Sequence, residues 1–292
     1  MNPFGYRPLR AARRIDVGVG MKVNGMHVVV TGGSRGIGEA MARDFAARGA
    51  RVTVVARSEE SLRRVAADIG GNAVVADLSD DRVVDTLIES IERDHGPIDI
   101  LVNNAGLETN TPFAVEDPRE IRTVSRLNLE TPMLLTRHAL PGMLQRGRGH
   151  LVFVSSLAGT AGFPGMSVYC GTKAGIFNFF SSLRRELKHT PVGMTVLSPG
   201  PVDTQMWDTI EESVPTVLRV VNRFNALRLI PKADAGDIAR RTVSAVEKNR
   251  PYVRDPKRLS TNFWFNMAPT RIANACLVGI RFDPLDRGTR HN

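Results

Sequence analysis

The stretch His27-Val28-Val29-Val30-Thr31-Gly32-Gly33-Ser34-Arg35-Gly36-Ile37-Gly38 decides how this chain is read. A short β-branched run leads into a glycine-rich turn, and a helical pattern follows from Ile37 to Arg48. A strand that is apolar on both sides belongs in a parallel sheet covered on both faces. Glycines between such a strand and a helix allow a tight turn. They also let backbone N–H groups approach a pyrophosphate at the positive helix end. The spacing is G-x-x-x-G-x-G rather than G-x-G-x-x-G, so the flanking strand and helix carry the reading more than the glycines do.

Further runs repeat the theme at Arg51–Ala56, Ala73–Ala76, Ile98–Val102, Leu151–Ser155 and Met194–Leu197. Helical stretches separate them near Ile37–Arg48, Glu59–Ile69, Asp80–Asp94, Pro118–Gln145 and Val168–His189. The alternation predicts a doubly wound α/β fold around a parallel sheet. Residues 21–257 form the predicted domain. A basic arm, 1–20, precedes it and a basic, partly apolar extension, 258–292, follows.

Composition narrows the class. The chain has 292 residues, 42% hydrophobic and 24% charged, as a soluble globular protein does. The formal net charge of +9 sits mostly in the two ends, so it says little about the central domain. With 6% aromatic residues and no zinc-finger spacing, nucleic acid is not the expected partner. Two cysteines, Cys170 and Cys276, make no disulfide framework or metal site, which predicts a reducing, cytoplasmic setting. Neither a membrane span nor a secretory signal is expected. The basic ends leave weak contact with an anionic membrane surface open.

Three features point to chemistry. The second strand ends in Ala56-Arg57, where an NAD site would place a carboxylate on the ribose hydroxyls. An arginine there, with Arg35 in the glycine turn, suits a 2′-phosphate and favours NADP(H) over NAD(H). Tyr169 and Lys173, four apart on a helix, put an ammonium near a phenol. The expected result is a lowered tyrosine pKa and a usable proton donor. Ser155 and Ser156 end the fifth strand at the carboxyl edge of the sheet, where ligands of such folds bind.

Together these residues resemble the short-chain dehydrogenase/reductases over about residues 26–253. The landmarks are Thr31–Gly38, Asp77-Leu78, Asn103-Asn104-Ala105-Gly106, Asn128, Ser156, Tyr169/Lys173 and Pro199-Gly200-Pro201-Val202-Asp203-Thr204. The resemblance implies a Rossmann-type fold and hydride transfer between a nicotinamide and a carbonyl or alcohol. It makes Tyr169 the general acid/base, and Lys173 the group that holds the nicotinamide ribose and tunes the phenol. Ser156, with Ser155 as its alternate, becomes the partner of the substrate oxygen. Asn128 helps hold a water that links the lysine to solvent. Gly32, Ser34, Arg35, Gly36, Ile37 and Gly38 receive the phosphates, and Asp77 and Leu78 border the adenine. Asn104, Ala105 and Gly106 line the ribose, while Pro199, Gly200, Val202 and Thr204 face the carboxamide and pyrophosphate. No metal is implied. A homodimer or homotetramer is.

Apolar residues such as Val217, Val221 and Phe224 recur at helical spacing, as in a core or an oligomer contact, and the resemblance implies instead a substrate lid at about 205–233. With Met206 and Trp207 they suggest a hydrophobic carbonyl or alcohol substrate. Two readings of another class stand beside the enzyme. One is a non-catalytic NADP(H) sensor or scaffold, and the other is a peripheral membrane protein.

Overall fold

The computed structural model describes residues 20–203, Arg223 and 232–256. Residues 1–19, nearly all of the expected lid, Thr204 and the 258–292 extension lie outside the described residues.

Seven parallel strands form one sheet in the order β3-β2-β1-β4-β5-β6-β7. They are β1 (His27–Thr31), β2 (Arg51–Ala56), β3 (Asn72–Val75), β4 (Ile100–Asn103), β5 (Gly149–Val154), β6 (Val192–Ser198) and β7 (Tyr252–Arg254). The order reverses between β1 and β4, which opens a crevice above their carboxyl ends. Strand pleating sends Val28 and Val30 to one face and Val29 to the other, and all three are buried.

On the first face, Val28 and Val30 meet Met41 and Phe45 of α1 (Gly36–Ala47) and Leu62 of α2 (Glu59–Asp68). Ile238 and Val243 of a helix at Ala235–Glu247 complete that layer. On the second face, Val29 joins Ile88 and Ile91 of α3 (Asp81–His95), Leu135 and Met143 of α5 (Thr131–Arg146), and Phe180 of α6 (Ser167–Glu186). The Ala235–Glu247 helix is α7. Phe153 of β5, Phe180 and Tyr252 of β7 pack edge to face.

Two elements depart from the sequence reading. The seventh strand and α7 were not expected. β7 is only three residues long and pairs through Val196–Tyr252, Leu197–Val253 and Ser198–Arg254, so no apolar run announces it. The single helix expected over Pro118–Gln145 is α4 (Pro118–Ser125) and α5 joined by one π turn at Arg126–Glu130. Such a turn has no local sequence signature, and it often marks a functional position.

Candidate active site

The cofactor end is built around Thr31. Its hydroxyl donates to the Val102 carbonyl at 3.1 Å and accepts the Asn104 and Ala105 N–H groups at 3.0 and 3.1 Å. The Asn104 amide donates to the Thr31 carbonyl at 2.8 Å, so β1 and β4 are tied together at the crevice. Gly32 must be glycine here. Its φ is +65°, and a Cβ would lie 2.8 Å from the Asn104 Nδ2. At Gly38 a Cβ would meet the Gly32 carbonyl oxygen within contact distance, so α1 packs directly on the turn.

From this turn a cleft of about 680 Å³ runs along the carboxyl edge. It is lined by Gly32, Ser34, Arg35, Gly36, Ile37, Gly38, Arg57, Asp77, Leu78, Asn104, Ala105 and Gly106 at one end. Ser156, Tyr169, Lys173, Pro199, Gly200 and Val202 line the other. Arg35 and Arg57 are exposed, and no carboxylate follows β2 before the helix cap Ser58. The Ser79 backbone N–H and hydroxyl hold the Asp77 carboxyl below the usual carboxylate range, and the Arg57 charge acts the same way. Glycine backbone bare of Cβ and an open helix N-terminus fit the pyrophosphate of a dinucleotide.

At the chemical end the two serines separate. The buried Ser155 hydroxyl donates to the Lys173 carbonyl at 2.8 Å and fastens α6 to β5. Ser156 accepts the Ala158 N–H at 3.1 Å, and its hydroxyl acts to lower the pKa of the Tyr169 phenol in the same cleft. Ser156 is therefore the serine beside the phenol. Lys173 Nζ donates to the Val154 carbonyl at 2.9 Å and lies 5.6 Å from the centre of the Tyr169 ring. Burial lowers the Lys173 pKa to about 8. The expected drop in the Tyr169 pKa is not what the protein's own groups produce. Burial raises it above the ordinary value, and the Ser156 hydroxyl opposes this only in part.

Asn128 does not line the cleft. It sits in the π turn, where its Oδ1 accepts the Leu107 N–H at 2.8 Å. Its Nδ2 donates to the Leu107 carbonyl at 2.7 Å and to the Thr172 hydroxyl at 3.1 Å. The widened turn thus points a buried carboxamide at the loop after β4 and at the Tyr169–Lys173 helix. Its visible work is to position both.

The cleft also contains residues that sequence reasoning passed over: Leu107, Glu108, Phe163, Pro164 and Met166. Phe163 and Met166 pack on Ala158, Tyr169 and the buried Cys170, forming an apolar wall. Burial raises the Glu108 carboxyl to about 7. Their nearness in sequence to Gly106 and Tyr169 was the available signal. Among the described residues no group of three or more His, Cys, Asp or Glu is placed to hold a metal. No described helix is long and apolar enough to cross a membrane.

The pattern described as short chain dehydrogenase matches residues 26–215. The chain belongs to this family. The ketoacyl reductase HetN of Nostoc sp. is 33% identical over 243 residues, covering 81% of this chain and 83% of that protein. A Bos taurus 3-oxoacyl-[acyl-carrier-protein] reductase is 34% identical over 226 residues, or 77% and 91%. Among solved structures, a metagenomic short-chain oxidoreductase in complex with NADP is 29% identical with a TM-score of 0.65, covering 80% of this chain and 98% of the other. A Burkholderia phymatum member in complex with NAD shares the fold at 23% identity and a TM-score of 0.73, covering 91% and 99%. This short-chain dehydrogenase is accordingly an oxidoreductase with a nucleotide cofactor site.

Proposed function

We propose that this short-chain dehydrogenase is an NADP(H)-dependent reductase that interconverts a ketone or aldehyde with an alcohol on a substrate with an apolar body. The observation that carries this is one cleft that brings Ser156, Tyr169 and Lys173 together at one end, with Lys173 Nζ 5.6 Å from the Tyr169 ring centre, and Arg35 and Arg57 at the other. When bound, the reduced nicotinamide supplies the hydride. The chain's own residues handle the proton and the oxygen. The Tyr169 phenol, kept protonated by burial, donates its proton to the carbonyl oxygen. The Ser156 hydroxyl holds that same oxygen. Lys173 favours the phenolate left behind, because an ammonium beside a buried anion offsets its desolvation. Asn128 keeps Leu107 and Thr172 in place around this pair. Phe163 and Met166 supply the apolar wall and exclude water.

NADPH oxidation over a panel of carbonyls tests the reading, with Tyr169→Phe as the paired blank. Turnover is expected to fall about 10³-fold in the variant while NADPH affinity stays within twofold. Equal turnover in both proteins, or no NADPH binding, would overturn it.

A further inference from the structure

Glu108 is a carboxyl in an unusual position. It lines the cleft two residues after Gly106, and its charge acts on Tyr169. One oxygen, Oε1, is buried with no hydrogen-bond partner among the described residues. Asn110 lowers the carboxyl's pKa somewhat, but among the described residues no cation acts on it, and burial sets its titration near neutrality. A buried acceptor left without a partner is destabilising, so a site that retains one is usually completed by what it binds.

The chemistry of that completing group can be narrowed. A second carbonyl only accepts hydrogen bonds and would match the acid form of Glu108 alone. An ammonium would match only the carboxylate and would face Lys173 in the same cleft. A hydroxyl donates to the carboxylate and accepts from the acid, so it pairs with either form. We propose that Glu108 is a specificity-determining residue that binds a hydroxyl of the substrate in the same cleft. The substrates are then hydroxyketones and the products diols. This inference rests on the reductase reading given above.

The test uses propiophenone and its 2-hydroxy derivative as substrates with NADPH. The corresponding alcohol and diol serve as ligands of the NADP-loaded protein, measured by calorimetry. Wild type, Glu108→Gln and Glu108→Leu are compared. Wild type should favour the hydroxylated member of each pair by about 10- to 100-fold. Glu108→Gln should keep most of that preference, because an amide also donates and accepts. Glu108→Leu should erase it, with kcat/KM falling at least about 10-fold more on the hydroxyketone than on propiophenone. An undiminished preference in Glu108→Leu, or an equal loss on both ketones, overturns the assignment. So does a wild-type preference for the corresponding dione. The ligand measurements need no turnover. Diol binding that depends on Glu108 without NADPH oxidation would sink the reductase reading and leave this one standing.

Discussion

The two ends of the same sheet treat polar groups in opposite ways. At the amino edge, the buried side chains of His27, Asp99 and His150 find partners inside the protein. His27 donates from Nδ1 to the Gly96 carbonyl at 2.9 Å, and its Nε2 meets the Thr53 hydroxyl at 2.9 Å. Asp99 accepts the His27 backbone N–H at 3.0 Å and Arg148 Nε at 2.9 Å. His150 Nε2 donates to Thr195, whose hydroxyl is itself committed to the Arg250 carbonyl at 2.9 Å. At the carboxyl edge the accounting stays open. Asn103 Oδ1, Glu108 Oε1, Thr109 Oγ1, Asn110 Oδ1 and Ser198 Oγ are buried without partners among the described residues. The His27, Asp99 and His150 set is closed, whereas the unpaired groups gather at the carboxyl edge, the end that carries the cleft.

That contrast can be broken in three ways. The largest effect belongs to the closed edge. Asp99→Ala strips a partner from both the His27 N–H and Arg148, and about 3 kcal/mol of unfolding free energy should go with it. Urea denaturation measures this, and kcat should stay within twofold. A loss of turnover at unchanged stability would erase the distinction between the edges.

The next effect belongs to the open edge. Arg57→Ala should weaken NADPH by about 2 kcal/mol, leave NADH within twofold, and leave the urea midpoint unmoved. Equal losses for the two cofactors would remove the phosphate assignment.

The smallest sharpens the closed edge through pH. Burial lowers the His150 pKa to about 3, whereas an unfolded imidazole titrates near 6.5. Below that pH the unfolded chain binds the additional proton, so stability is full above 6.5 and falls as pH drops toward 3. The slope from this one group is about 1.4 kcal/mol per pH unit. His27 shifts in the same direction. Urea titrations between pH 7 and 5 should show the slope, and His150→Asn should flatten it. A wild type as stable at pH 5 as at pH 7 would contradict the buried neutral imidazole.

Legibility in the sequence followed the range of the interactions. Val28–Val30, the glycine turn and the Tyr169/Lys173 spacing are local patterns, and the structure places each on the element expected of it. The two serines after β5 were indistinguishable as letters. Ser155 is tied to the Lys173 carbonyl and Ser156 faces the Tyr169 phenol only because α6 passes over one hydroxyl and not the other. Asn128 was found through resemblance, but its hold on Leu107 depends on a π turn that no residue pattern specifies.

What the sequence determined by itself was the parallel sheet, the glycine turn between β1 and α1, an arginine rather than a carboxylate after β2, and the Tyr169/Lys173 spacing on one helix. Each is written in neighbours a few residues apart, where backbone periodicity and turn sterics act directly. What only the tertiary structure decided was burial. It raised the phenol that the lysine had been expected to lower, paired every hydrogen-bonding atom named at the amino edge, and left Glu108 with an unmatched oxygen in the cleft. Desolvation depends on atoms brought together from distant parts of the chain, and no local pattern carries that information.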